Sequence, residues 1–369
     1  MAIMALDHTR DFFQMQLPDP MDPSKTWAAL FFIRWITHFC APVFVFLAGA
    51  SGHLMRARKT PAELAWFLMT RGFWLIFLEL TWVRCFGWFF NFDYRFSVGQ
   101  VIWAIGWSMI ALACLVRFPT RWVGGTGVLI VFLHNLTDGW KAEQFGPLWW
   151  VWRILHDRKP MELWPDHFFF PQYPLLPWIG ILLAGYGFGE VFRMPDEQRR
   201  SVCRRIGFVL LGLFISLRAT NWYGNPRPFK VFPELSQTIY SSLNCEKYPP
   251  SLLFTLMTLG PALILLSYLS NEPGKLWRPL VILGRVPMFF YLIHLPLLHG
   301  AALLYAWSLG MSGGWLLGRP GDSAAPASFG VGLFGVYVIW LIAMAFMFPL
   351  CTWFAEKKRL NPASWLSYF

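Results

Sequence analysis

The chain has 369 residues, 56% of them hydrophobic and only 14% charged, with a mean hydropathy of +0.45. Soluble domains carry about a quarter charged residues, so a soluble globular class is excluded. A net charge of +11 would fit nucleic-acid binding only beside a basic soluble face and a reader motif, and neither occurs.

Apolar stretches that approach or exceed the roughly 20 residues needed to cross a bilayer recur along the chain. About ten spans are expected on that length criterion, near 1–13, 28–55, 64–90, 98–117, 121–136, 173–192, 206–222, 250–270, 280–306 and 329–353. The period-two alternation of a transmembrane barrel is absent. The fold class is therefore all-α, a polytopic transmembrane helix bundle, read as one integral-membrane domain over 1–369. Its first span is short: 13 residues rise about 20 Å against a hydrocarbon core of about 30 Å. That span reads as truncated, with a true start expected upstream. It lacks the basic start and small-residue cleavage site of a signal peptide.

Lys and Arg alternate between the connections. One set holds Arg56, Arg58 and Lys59, then Arg117 and Arg121, Arg193 to Arg205, Lys275 and Arg278, and Lys357 to Arg359; the other holds little beyond Lys25, Arg95 and Arg319. By the positive-inside rule the first set is cytoplasmic, with both termini, and the basic balance is explained by topology. The six cysteines show neither a CxxC pair nor a Cys/His zinc-finger spacing, so neither a disulfide framework nor a metal is expected. No internal repeat is visible.

Within this apolar frame the outer ends of the spans are dense in ionisable residues. The first span runs into "DHTRDFF", where Asp7, Arg10 and Asp11 share a stripe with His8 on its shoulder. In "FFIRWITHFCAPVF" Arg34 and His38 stand one turn apart, with Pro42 expected to disturb the helix just below. Asp93, Arg95, His134, Asp138, Arg218, Asn221, Lys247, His294 and His299 fall at similar depth. Singly, each reads as a satisfied structural group or an interfacial pair. Together they supply what an outward-facing reaction chamber needs, because ionisable groups inside membranes are costly and are retained for function. The inner ends offer "FLAGASG", with Gly49 and Ser51, beside Arg56, and Arg285 near the ninth span. Small residues permit close helix packing; the alternative is a slot for a thin chain with arginines for phosphates at its mouth.

Five stretches, "MALDHTRDFF", "RWITHFCAPVFVFLAGASG", "PLLPWIGILLAGYGFG", "KYPPSLLFTLMTLG" and "LGRVPMFFYLIHLPLLHG", with the ending "CTWFAEKKRLNPASWLSYF", resemble signature segments of one family. It is the bacterial membrane proteins related to the catalytic domain of heparan-alpha-glucosaminide N-acetyltransferase. The resemblance implies a CoA-dependent N- or O-acetyltransferase of the bacterial inner membrane. Such an enzyme moves an acyl group from cytoplasmic acetyl-CoA to a sugar or glycan outside, with no nucleic-acid partner, and a homodimer is compatible with it. Members carry an Arg-Gly pair before the Asp-His motif, and this chain starts after that point. The catalytic histidine of the lysosomal enzyme lies between the first two spans, where "QMQLPDPMDPSKTWAAL" has none. The role therefore passes to His8 or His38.

The residues support such chemistry on their own terms. Acyl transfer needs a base for the acceptor proton, histidine is suited to it, and a carboxylate can orient it. His8 is the expected base or acyl carrier and Asp11 its partner, with His38 and His294 as further candidates. Arg10, Arg34 or Arg218 would steady an oxyanion. Arg34, Arg56, Arg285, Gly49 and Ser51 are the expected coenzyme-binding set. A secondary transporter or flippase with a His/Asp/Arg-lined path is the competing reading; its mark would be paired broken helices in equivalent halves, which are not visible.

Overall fold

The structure, a computed structural model, describes residues 1–269, 274–318, 324–361 and Leu366. Arg319 and most of the closing "NPASWLSYF" lie outside the described residues. Helices occupy every expected span: α1 (Ala2–Phe13), α2 (Ala28–Met55), α3 (Pro61–Phe89), α4 (Val101–Leu115), α5 (Thr120–Leu133), α6 (Leu175–Arg193), α7 (Asp196–Thr220), α8 (Leu252–Tyr268), α9 (Pro287–Ser308) and α10 (Leu333–Leu360). Among the described residues, α2, α3, α6, α9 and α10 are long and apolar enough to cross a membrane, and α4 and α8 are shorter apolar helices. This is an all-α membrane protein.

The most apolar helix is also the least covered. Most of α10 lies uncovered by the rest of the protein, and Phe334 and Phe346 are 82% and 63% exposed. In water each exposed apolar Å² costs about 25 cal/mol; against lipid tails the penalty vanishes. Local sequence explains the irregularities. Thr60 caps α3 in a reciprocal box with Glu63, with Pro61 in the first turn. In α2, Pro42 has no N–H for the His38 carbonyl, and the turn Ile36–Phe39 tightens to 3-10 geometry. The last part of α3, Glu79–Phe89, winds as a π-helix, a rare form that concentrates at functional sites.

The described residues fall into two compact units. The first holds residues 1–40, 81–95 and the described residues beyond 273. Within it α1 packs along α9 and α10, and Leu6, Ile33 and Val336 form a buried cluster. The end of α1 is spliced to the segment before α10: the Val331 N–H donates to the Phe13 carbonyl at 2.7 Å, and the Met15 N–H to the Val331 carbonyl at 3.1 Å. Gly330 makes that approach feasible. Its φ is +107°, and a Cβ there would lie 2.5 Å from the Met15 nitrogen.

The second unit holds residues 41–80 and 96–269. Its helices pair α3 with α4, α5 with α6 and α7 with α8. The C-terminal half of α2 crosses α6 at backbone distance: a Cβ on Gly49 would meet the Leu182 carbonyl oxygen at 1.9 Å, and one on Gly185 the Phe46 carbonyl oxygen at 2.0 Å. No strand is expected from the sequence, yet a small sheet forms in the connections. Its β1 (Phe96–Val98), β2 (Met161–Trp164) and β3 (His167–Phe170) lie in the order β1-β3-β2, with β1 parallel and β2 antiparallel to β3.

Candidate active site

The first unit gathers the polar residues of α1. Asp7 accepts from Arg34 Nη1 through both oxygens, at 2.6 and 2.7 Å, and lies 3.0 Å from Arg10 Nη2. The same Arg10 nitrogen donates to Asp11 at 2.6 Å. Two carboxylates and two guanidiniums therefore balance one another, the condition under which charges persist in a low-dielectric setting. Among the described residues, Arg10 Nη1 is buried without a hydrogen-bond partner.

His8 stands at the edge of this network. Its Nδ1 is 3.7 Å from Asp11 Oδ2, with side chains 16% and 36% exposed. That spacing exceeds a hydrogen bond, and catalytic bonds often tighten only when substrate arrives. Trp88, from the π-helical part of α3, meets the imidazole edge-on at 5.4 Å, and His294 of α9 lies 5.3 Å away between ring centres. His294 is almost fully buried. Its Nδ1 faces the Phe290 carbonyl at 2.9 Å, which fixes the proton there and leaves Nε2, buried and without a partner, as the lone-pair nitrogen.

The other expected residues have their own surroundings. Arg34 was grouped with the coenzyme arginines, but its guanidinium is committed to Asp7. His38 is buried in the 3-10 turn after Arg34. Arg218 donates to the carbonyls of Ser241, Ser242, Arg227 and Asn244, so four of its five N–H donors clamp the connection after α7. Asp93 binds Arg84 and Arg95; burial opposes the shift, yet these bonds hold its carboxyl below the usual range. His299 spans the Gly87 and Leu316 carbonyls and stacks between Phe12 and Phe90, which is a structural role.

A second site lies in the second unit. His53, Arg56, Pro119, Thr120, Glu190 and Arg193 line a cleft of about 590 Å³. Arg56 Nη1 donates to the Thr120 hydroxyl at 2.6 Å, and both ring nitrogens of His53 are buried without partners among the described residues. His53 is not singled out by the sequence, and Arg193 stands there only as a basic loop residue; "GHLMRARK" carries the hint, a histidine one turn before a basic run. Gly49 is filled by the α6 backbone, which assigns it to packing rather than to a slot. Ser51 is exposed on α2, and Arg285 is exposed at the end of the short helix Arg278–Arg285. Glu79, also unnoticed, accepts from the Trp103 N–H at 3.2 Å and so satisfies a free amide in the first turn of α4.

A helical membrane protein with a charge-balanced His/Asp/Arg cluster and a separate basic cleft belongs to the class of integral-membrane group-transfer proteins or transporters. The comparison with protein families decides between them. Residues 1–220 match the family described as heparan-alpha-glucosaminide N-acetyltransferase, catalytic, and the chain belongs to that family. The matched segment contains His8, Arg10, Asp11, Arg34, His38 and Arg56, while Arg285 and His294 lie beyond it. No curated protein matches the chain.

Proposed function

We propose that the chain is an acetyltransferase that takes an acetyl group from cytoplasmic acetyl-CoA and places it on an amine or hydroxyl of an extracytoplasmic sugar or glycan. The observation that carries this reading is the constellation on α1, with His8 at 3.7 Å from Asp11 and a buried, unpartnered Arg10 nitrogen beside it. His8 takes the acceptor proton as the nitrogen or oxygen attacks the thioester carbonyl, and later returns it to the departing thiolate. As acyl carrier it would instead hold the acetyl group itself for one step. Asp11 orients the ring and balances its charge. Arg10 Nη1 is the donor for the developing oxyanion. Arg56 and Arg193, in the basic cleft, take the phosphates of the coenzyme. Family membership supports the reaction class, and the positive-inside count supports the cytoplasmic side for Arg56.

The test uses purified protein in liposomes with acetyl-CoA and glucosamine-bearing acceptors, following release of the coenzyme thiol. Release that requires both the acceptor and His8 is the expected result. Absence of release from folded wild-type protein across the acceptor panel would reject the proposal.

A further inference from the structure

Outside both sites, three ligand-type side chains of the second unit converge where the sequence showed no metal spacing. His134 follows α5, Asp138 comes one turn later, and His156 ends the helix Trp149–Leu155. One ligand atom from each lies within 4.8 Å of the others. His134 Nδ1 is 3.4 Å from His156 Nε2, and His156 Nε2 is 3.5 Å from Asp138 Oδ1. Direct hydrogen bonds prefer about 2.7–3.2 Å. Ligand atoms at 2.0–2.1 Å from a tetrahedral zinc stand about 3.3–3.4 Å apart, close to the two separations from His156 Nε2, and the third pair lies within 4.8 Å.

The surroundings hold each ligand in place. Asn135 Nδ2 donates to Asp138 Oδ2 at 2.8 Å, leaving Oδ1 turned toward the histidines, the outer support that ligating carboxylates have. Trp152 stacks on the His156 ring at 5.1 Å and 13°, which fixes its plane. Both histidines are buried while the Asp138 side chain is 21% exposed, which provides an entry path.

We propose that His134 Nδ1, His156 Nε2 and Asp138 Oδ1 bind a divalent first-row transition cation of zinc's coordination class, with water completing the tetrahedron. Two imidazoles and a carboxylate suit such an ion, where calcium and magnesium prefer oxygen alone. The cation ties the end of α5 to the connection that carries the small sheet. The pattern was hidden in the sequence because the two histidines come from segments 22 residues apart.

The test is metal content of the full chain in nanodiscs, with any affinity tag removed, stripped by chelator and dialysed against zinc. About one zinc per chain is expected in wild type and in the control His167→Ala, with loss of most of it in His156→Ala and Asp138→Asn. Cobalt in place of zinc is expected to give the intense visible bands of four-coordinate geometry. Should the variants fail to fold, zinc protection of His134 and His156 from diethyl pyrocarbonate in wild type, mapped by peptide mass, carries the test. Wild type that binds no stoichiometric zinc, or leaves both histidines unprotected, overturns the proposal. So does equal binding by a folded His156→Ala.

Discussion

Asp7 of α1 is held by Arg10 of the same helix and by Arg34 of α2, so removing the His8 imidazole leaves that network standing. His8→Ala is therefore expected to keep its folded yield and lose transfer activity by about 10²–10⁴-fold, the range for a lost general base. Steady-state thiol release beside a size-exclusion profile measures both, and activity within tenfold of wild type would remove His8 from the mechanism. A different residue gives a pH prediction. Cys245, in the connection after α7, is 3% exposed, and burial pushes its thiol up to about 12, with Arg218 pulling the other way. In the unfolded chain a thiol ionises near about 8.5. The folded state thus favours the neutral thiol, and that stabilisation is complete below about 8.5 and lost as pH climbs toward 12. At pH 9, iodoacetamide should leave Cys245 unmodified in native protein and label it in denatured protein, as read by peptide mass. Rapid native labelling would contradict the burial.

At the scale of elements, the crossing of α2 and α6 depends on the missing side chain of Gly49. A methyl there would sit 1.9 Å from the Leu182 carbonyl oxygen, so Gly49→Ala forces the helices apart, and overpacking of this kind costs about 1–3 kcal/mol. A lower melting temperature in detergent is expected for Gly49→Ala, with Ser51→Ala, on an exposed position, unchanged; equal melting of all three proteins would show that the crossing is loose. The ten helices themselves were legible in the sequence, because lipid demands long apolar runs and few other folds tolerate them. Pro42 likewise announced the disturbance before it, through a missing N–H. The pairing of Arg34 with Asp7 was not legible: it joins residues 27 apart in sequence, and any of several outer carboxylates would have satisfied the same guanidinium. Nor did periodicity reveal the π-helical end of α3, the small sheet or the His53 cleft, since these arise from packing between segments rather than from local propensity. The sequence placed His8, Arg10 and Asp11 on one helix, but only tertiary structure adds Trp88 and His294 beside them.

For the whole molecule, the proposed function gives the basic cleft and the α1 cluster separable roles in a two-substrate reaction. A residue that only grips the coenzyme phosphates contributes equally to ground and transition states, so its loss raises KM and spares kcat. One charge-assisted hydrogen bond contributes about 1.5–3 kcal/mol, which corresponds to a rise in KM of about 10–100-fold at 1.4 kcal/mol per decade. Arg56→Ala is expected to show that rise for acetyl-CoA, with the acceptor KM unchanged, whereas His8→Ala lowers kcat. Arg56 contacts Thr120, so Thr120→Ala serves as a control for simple loss of that contact and should shift KM less. Sidedness follows from the same argument. With the cleft on the cytoplasmic side, as we propose from the distribution of Lys and Arg, inside-out vesicles should accept external acetyl-CoA and right-side-out vesicles should not. Equal use of external acetyl-CoA by both orientations, or an Arg56→Ala variant with unaltered KM, would move the coenzyme site away from this cleft.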